Sequence, residues 1–234
     1  MTGVLSRPGL VRRFLRDNSL GLFFGALFLA AVVGQSFAGW SAFNDTQTAS
    51  GLLPIGYVEY VTSSSFTTDV AENWQSEYLQ FLLYIWATVW FVQRGSPESK
   101  ELDQRGLESD EDQEVGAHAG PRSPRWAAVG GLRQAVFSHS LLLVMGAVFL
   151  LSWAAQSAAG AVSYDEEQLL DLEAPVTWAQ YVVSADFWNR TLQNWQSEFL
   201  AVGSMAALSV FLRERGSPES KPVGAADDDT GAEG

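Results

Sequence analysis

Residues 73–100 read NWQSEYLQFLLYIWATVWFVQRGSPESK, and residues 194–221 read NWQSEFLAVGSMAALSVFLRERGSPESK. The offset is 121 residues, and 14 of the 28 aligned positions are identical. Outward from there, with no gap, the same offset sets 19–39 on 140–160. It also brings Tyr60, Val61, Ser63 and Phe66 onto Tyr181, Val182, Ser184 and Phe187. The chain is a tandem duplication of a unit of about 83 residues, 18–100 and 139–221. What both copies keep can be weighed against what either was free to change.

Each copy carries two apolar stretches. Residues 19–39 form a run of 21 without a charge, and 140–164 a run of 25. At about 1.5 Å per residue, the shorter run spans roughly 31 Å, the thickness of a hydrocarbon core. Residues 79–92 and 199–212 are apolar runs of 14 each. They become long enough when the preceding NWQSE sits at the membrane interface. The pattern predicts an all-α membrane protein with four transmembrane helices, at about 19–40, 74–93, 140–161 and 195–213. Buried helices of a soluble protein are the alternative. A signal peptide also pairs basic residues with an apolar run. This run lacks a small-x-small cleavage site and has a partner deep in the chain.

Charge sets the orientation. Of 14 Lys and Arg, 13 lie before the first span, between the second and third, or after the fourth; only Arg190 falls in the other connections. The positive-inside rule then places both termini and the central linker in the cytoplasm. The prediction is two tandem, same-orientation helical hairpins related by a pseudo-twofold axis along the membrane normal. The outer side carries 12 of the 27 acids. That would concentrate cations; solubility or a salty medium explains it as well.

Organisation follows. Residues 1–17 are a basic cytoplasmic leader for the anionic inner surface. Residues 41–73 and 162–194 are outer loops, with short helices expected after Pro54 and Pro175 and helix N-caps at Ser63 and Ser184. Residues 101–138 are a cytoplasmic linker, disordered over 101–124, with an interfacial helix at about 125–138 anchored by Trp126. Residues 222–234 are an acidic disordered tail.

The pentad NWQSE is the sharpest chemical signal. On a helix Asn73 and Glu77 share a face, as do Asn194 and Glu198. The first helix of each copy carries a Gln-Ser pair near its outer end. Antiparallel packing puts these groups at one depth, predicting a polar layer of Gln35, Ser36, Asn73, Gln75, Ser76, Glu77, Gln156, Ser157, Asn194, Gln196, Ser197 and Glu198. It is either a hydrogen-bonded network that fixes helix register or a cation or proton site. The mostly apolar seams Leu22, Gly25, Ala26, Leu29, Ser36, Gly39 and Leu143, Gly146, Ala147, Leu150, Ser157, Gly160 are expected to pack helix on helix. The second shared element is a cytoplasmic motif: Arg94, Gly95, Ser96, Pro97, Glu98, Ser99 and Lys100, repeated as Arg215, Gly216, Ser217, Pro218, Glu219, Ser220 and Lys221. Gly95 and Gly216 read as left-handed helix C-caps, with Arg94 and Arg215 facing the helix dipole. Helix termination explains Arg-Gly and Pro. Keeping Ser, Glu-Ser and Lys as well points to specific contacts.

With no cysteine and only two histidines, His118 and His139, disulfides, thiolate metal sites and a bis-His haem in the bundle are excluded. No metal, cofactor or nucleic-acid partner is expected. There is no phosphate loop and no catalytic triad.

At NWQSE(F/Y)L and RGSPESK the chain resembles an uncharacterised family of bacterial multi-pass membrane proteins, defined only as a domain of unknown function. The resemblance covers both repeats, although Glu101 of the first stands where the second has Pro222. It implies a bacterial inner membrane location and brings no activity. The expectation is a non-enzymatic structural or accessory subunit, with the lipid bilayer and either a membrane protein or a second copy as partner. The alternative is a small cation or proton pathway through Glu77 and Glu198.

Overall fold

The computed structural model describes residues 7–231. The leader's first six residues and the tail's last three lie outside the described residues. The described residues are all-helical: nine α-helices, one short 3-10 turn at Gly116–His118 and no strand. Helix α1 (Arg7–Asp17) sets Leu10, Val11, Phe14 and Leu15 on one side and Arg12, Arg13 and Arg16 on the other. Asn18 separates it from α2 (Ser19–Ala49), its amide donating back to Phe14 O at 2.8 Å.

Helices α2 and α7 (Ser140–Leu170) have 31 residues each, and both are long and apolar enough to cross a membrane. Each runs about nine residues past the expected end, because neither FNDTQTA nor SYDEEQLL holds a Gly or Pro breaker. Each stops at an aligned left-handed residue, Gly51 (φ 76°) or Leu172 (φ 61°). Helices α4 (Ser64–Trp90) and α9 (Ala185–Leu208) start well before NWQSE. Ser63 Oγ accepts from Phe66 N at 3.3 Å, and Ser184 Oγ accepts from Phe187 N at 3.2 Å.

The chain divides into two compact units, with the boundary between Thr67 and Thr68 inside α4. In the first unit α3 (Tyr57–Val61) folds back on α2. Asn44 Oδ1 accepts from Ile55 N at 2.7 Å, Ser36 and Tyr57 share a hydroxyl bond of 2.8 Å, and the buried Tyr60 sits over Gly39. In the second unit α8 (Trp178–Tyr181) folds back on α7 in the same way. Asp165 Oδ1 accepts from Val176 N at 2.7 Å, Trp178 Nε1 donates to Ser157 Oγ at 3.2 Å, and Tyr181 covers Gly160. Every one of these pairs is displaced by 121 residues from its counterpart.

The second unit also holds the remaining helices. Helix α7 meets α4 at Gln156 with Glu72, and at Gly146 with Leu82, so the two run antiparallel. It meets α9 through Phe149 with Trp195 and through Trp153 with Phe187, again antiparallel. Helices α4 and α9 therefore run parallel. They touch at Gln75 with Trp195, and the chain just past α4 meets the end of α9 at Ser96 with Ser209.

Four expectations need correction. The 125–138 segment is two helices, α5 (Arg125–Ala128) and α6 (Gly131–Ser138), because Gly130 and Gly131 take left-handed φ values of 68° and 66°. The linker after Lys100 carries turns, with Lys100 Nζ 2.7 Å from Glu108 and Gly106 N donating to Val89 O. The tail over 222–231 is folded, held by Lys221, whose ammonium donates to the carbonyls of Ala226, Asp227 and Asp229. Charge composition alone missed this because the ordering bonds run to backbone carbonyls. Finally, the seam of α7 is divided: Leu143, Ala147 and Leu150 are exposed, while Gly146 meets Leu82 of α4 and Ser157 and Gly160 are buried against α8.

Candidate functional site

Three helices of the second unit build a buried polar centre. The inward face of α4 is Thr68, Ala71, Glu72, Gln75, Ser76 and Leu79, at the three- and four-residue spacing of one helix side. Gln75 and Gln156 are both 0% exposed. Gln75 Oε1 accepts from Trp195 Nε1 at 2.7 Å. Gln156 Nε2 lies 3.4 Å from Glu72 Oε1 and 3.5 Å from Thr191 Oγ1. Arg190 Nε donates to Glu72 Oε1 at 2.6 Å, and its Nη2 reaches Asp69 at 3.9 Å. The hydrogen bond to Glu72 and the looser ion pair with Asp69 tie Arg190 and its turn of α9 to α4.

The electrostatics are those of a partly buried triad. Burial and the neighbouring Glu72 push the Asp69 carboxyl above its ordinary range, against the opposing pull of Arg190. Burial is the largest single influence on the Arg190 guanidinium and works against its charge, but the hydrogen bond and charge of Glu72, with Asp186 and Tyr181, together outweigh it and push its pKa up. Tyr181, at 1% exposure, has its phenol pushed up to about 12, by burial first and Asp186 second.

This centre is not the layer the sequence predicts. Gln75, Ser76, Gln156 and Ser157 are buried, and Glu198 is half-buried. Asn73, Glu77, Gln196 and Ser197 are exposed. The pentad spans more than one turn, so its residues point in several directions. Asn73 and Glu77 do share a face, and it is the outward one. Asn73 and Asn194 turn back to the carbonyls of Asp69 and Arg190 at 2.8 and 3.0 Å. Gln35 and Ser36 belong to the first unit, where Ser36 bonds Tyr57. Glu72, Arg190 and Thr191 were missed. The signal for them was there: Arg190 is the lone base of its connection, and an acid lies on the aligned helix.

The two RGSPESK segments form a second, duplicated structure. Helices α4 and α9 end at Trp90 and Leu208, so Gly95 and Gly216 are turn residues beyond the helix ends and not C-caps. Their φ values are 82° and 84°. Ser96 N donates to Gln93 O at 3.1 Å and Ser217 N to Glu214 O at 3.2 Å. Ser99 Oγ accepts from Gln93 N at 2.9 Å and Ser220 Oγ from Glu214 N at 2.9 Å. Lys100 Nζ donates to Gly106 O at 3.0 Å and Lys221 Nζ to Asp227 O at 2.9 Å. The serine closes the loop and the lysine fastens the chain that follows it. Glu98 accepts from the Tyr84 hydroxyl. Arg94 and Arg215 are exposed; the carbonyls at the end of α9 are met instead by Arg213, which bonds Val210 O at 2.9 Å.

Among the described residues no group of three or more His, Cys, Asp or Glu could hold a metal ion. No curated protein and no solved structure matches the chain. A family model described as "Domain of unknown function (DUF6766)" matches residues 11–232, and the chain belongs to that family.

Proposed function

We propose that the chain is a multi-pass protein of the bacterial inner membrane, with N- and C-termini in the cytoplasm. It serves as a non-enzymatic structural or accessory subunit of a membrane assembly. Its four spans are two like-oriented hairpins related by a pseudo-twofold axis along the membrane normal. The observation that carries this reading is the inverted polarity of α7. Its buried residues include Ser152, Gln156, Ser157 and Gly160, while Leu141, Leu143, Val144, Leu150 and Leu151 face outward, Leu151 at 71% exposure. A helix in water buries its leucines. A helix in lipid can leave them outside, and gathers its polar and small residues against its neighbours. The positive-inside bias gives the orientation. The polar centre supports the structural role: its buried carboxylate, Glu72, is already neutralised by Arg190 and is not free for a moving cation.

The cysteine-free sequence makes a direct test available. Ser50→Cys and Glu173→Cys should react with a membrane-impermeant maleimide in intact cells, and Ser109→Cys only after the cells are opened. Labelling of Ser109→Cys in intact cells would refute the topology. Purification of a tagged copy in mild detergent should recover one dominant membrane partner; a lone monomer would refute the accessory role.

A further inference from the structure

The C-terminal segment lies on the first RGSPESK loop. Thr230 Oγ1 accepts from Gly95 N at 2.9 Å, and Gly231 N donates to Ser96 O at 3.1 Å. A Cβ on Gly95 would collide with the Asp227 carbonyl, and one on Gly231 would stand 3.2 Å from the Ser99 carbonyl. Glycine at both positions lets the two backbones approach. Gly95, Ser96, Pro97 and Ser99 are buried there.

The second loop has the same backbone and the same internal bonds, yet its counterpart seat is open. A Cβ on Gly216 meets nothing within 4 Å, and Gly216 and Pro218 are exposed. The molecule thus presents one seat twice, once filled and once free. The filled copy states the ligand chemistry: an acidic strand with a hydroxyl for the glycine N–H and a glycine next to it.

We propose that the second loop, residues 215–221, docks an acidic Asp-Asp-Thr-Gly type strand of a partner protein. In the filled seat the strand's Asp227 is paired by Arg213 at 3.0 Å; at the second loop the exposed Arg215 is the base such a strand would meet. Among the described residues, the two segments that could serve are already engaged. Thr230 and Gly231 are held on the first loop, and the aligned linker residue Ser109 donates to Asp112 at 2.6 Å. The site follows from loop geometry; the partner rests on the accessory-subunit reading.

The test titrates a fluorescent peptide, AADDDTGAEG, the sequence of residues 225–234, into the full-length protein in detergent micelles, read by anisotropy. One saturating site per chain is expected. A peptide with Val in place of Thr should bind at least tenfold more weakly, and so should the protein variant Gly216→Val. No saturable binding overturns the proposal. Equal affinity for the Val peptide overturns it too, as does binding retained by Gly216→Val, which would mean exchange on the first loop. A dominant partner still recovered with Gly216→Val overturns the docking site while leaving the accessory role standing.

Discussion

Leu172 holds a left-handed backbone (φ 61°) at 94% exposure, where the other half of the duplication has Gly51 at φ 76°. Both residues end a 31-residue helix, and both are followed by the same return bond. Leu52 N donates to Gln47 O at 2.9 Å, and Glu173 N to Gln168 O at 2.7 Å. A residue with a Cβ gives up roughly 1–2 kcal/mol in this region. Almost no packing compensates Leu172 for it. Glycine there relieves the strain but adds unfolded-chain entropy, a loss of about 0.5–1 kcal/mol. Leu172→Gly should raise stability by about 0.5–1 kcal/mol, seen as a higher melting temperature of the purified protein in detergent. A lower melting temperature would mean that the left-handed stop is not the populated state.

At the scale of elements, the short helix after each long one is fixed by a tyrosine on a glycine. A Cβ built on Gly160 stands 2.5 Å from the Tyr181 hydroxyl, and Tyr164 and Phe187 back the ring at centroid distances of 5.5 and 5.4 Å. The ring has nowhere to go. Gly160→Ala should cost about 1–3 kcal/mol by overpacking, measured by the same melt. Gly203→Ala, with open space around it, should cost nothing. These elements were legible in sequence because both copies mark them: Pro54 and Pro175 before the short helix, Ser63 and Ser184 before the next. The ends of α4 and α9 were not legible, since Gly95 and Gly216 look like caps but lie several residues past Trp90 and Leu208. The inward face of NWQSE was not legible either. Which of five polar residues turns inward depends on where α7 packs, and periodicity within α4 does not specify its neighbour.

Across the whole molecule, among the many positions at which the two halves differ, one pair joins α4 to α9. Asp69 aligns with Arg190, and Glu72 with Gln193. Had the second half kept aspartate at 190, the contact between α4 and α9 would set acid against acid. With Arg190 it is a 2.6 Å ion pair, whose acid side chain is 12% exposed and whose base is 33% exposed. Arg190→Asp restores the first half's residue and leaves Glu72 buried without a counter-charge. Breaking such a pair costs roughly 3–5 kcal/mol when fully buried; solvent at Arg190 brings the expectation to about 2 kcal/mol. Lysine keeps the charge but loses the guanidinium fork, so Arg190→Lys should fall between. The loss should also depend on pH. The folded Asp69 carboxyl is raised above its ordinary value, so the native state binds that proton more tightly than the unfolded chain. Its contribution is greatest below the ordinary aspartate value and disappears as pH rises through the raised one. Removing Arg190 takes away the one group that lowers it, so the melting-temperature deficit of Arg190→Asp should be largest near neutral pH and shrink toward pH ~4. A deficit that stays constant with pH would show that Arg190 acts by packing its stem, and that charge is not what joins the two halves.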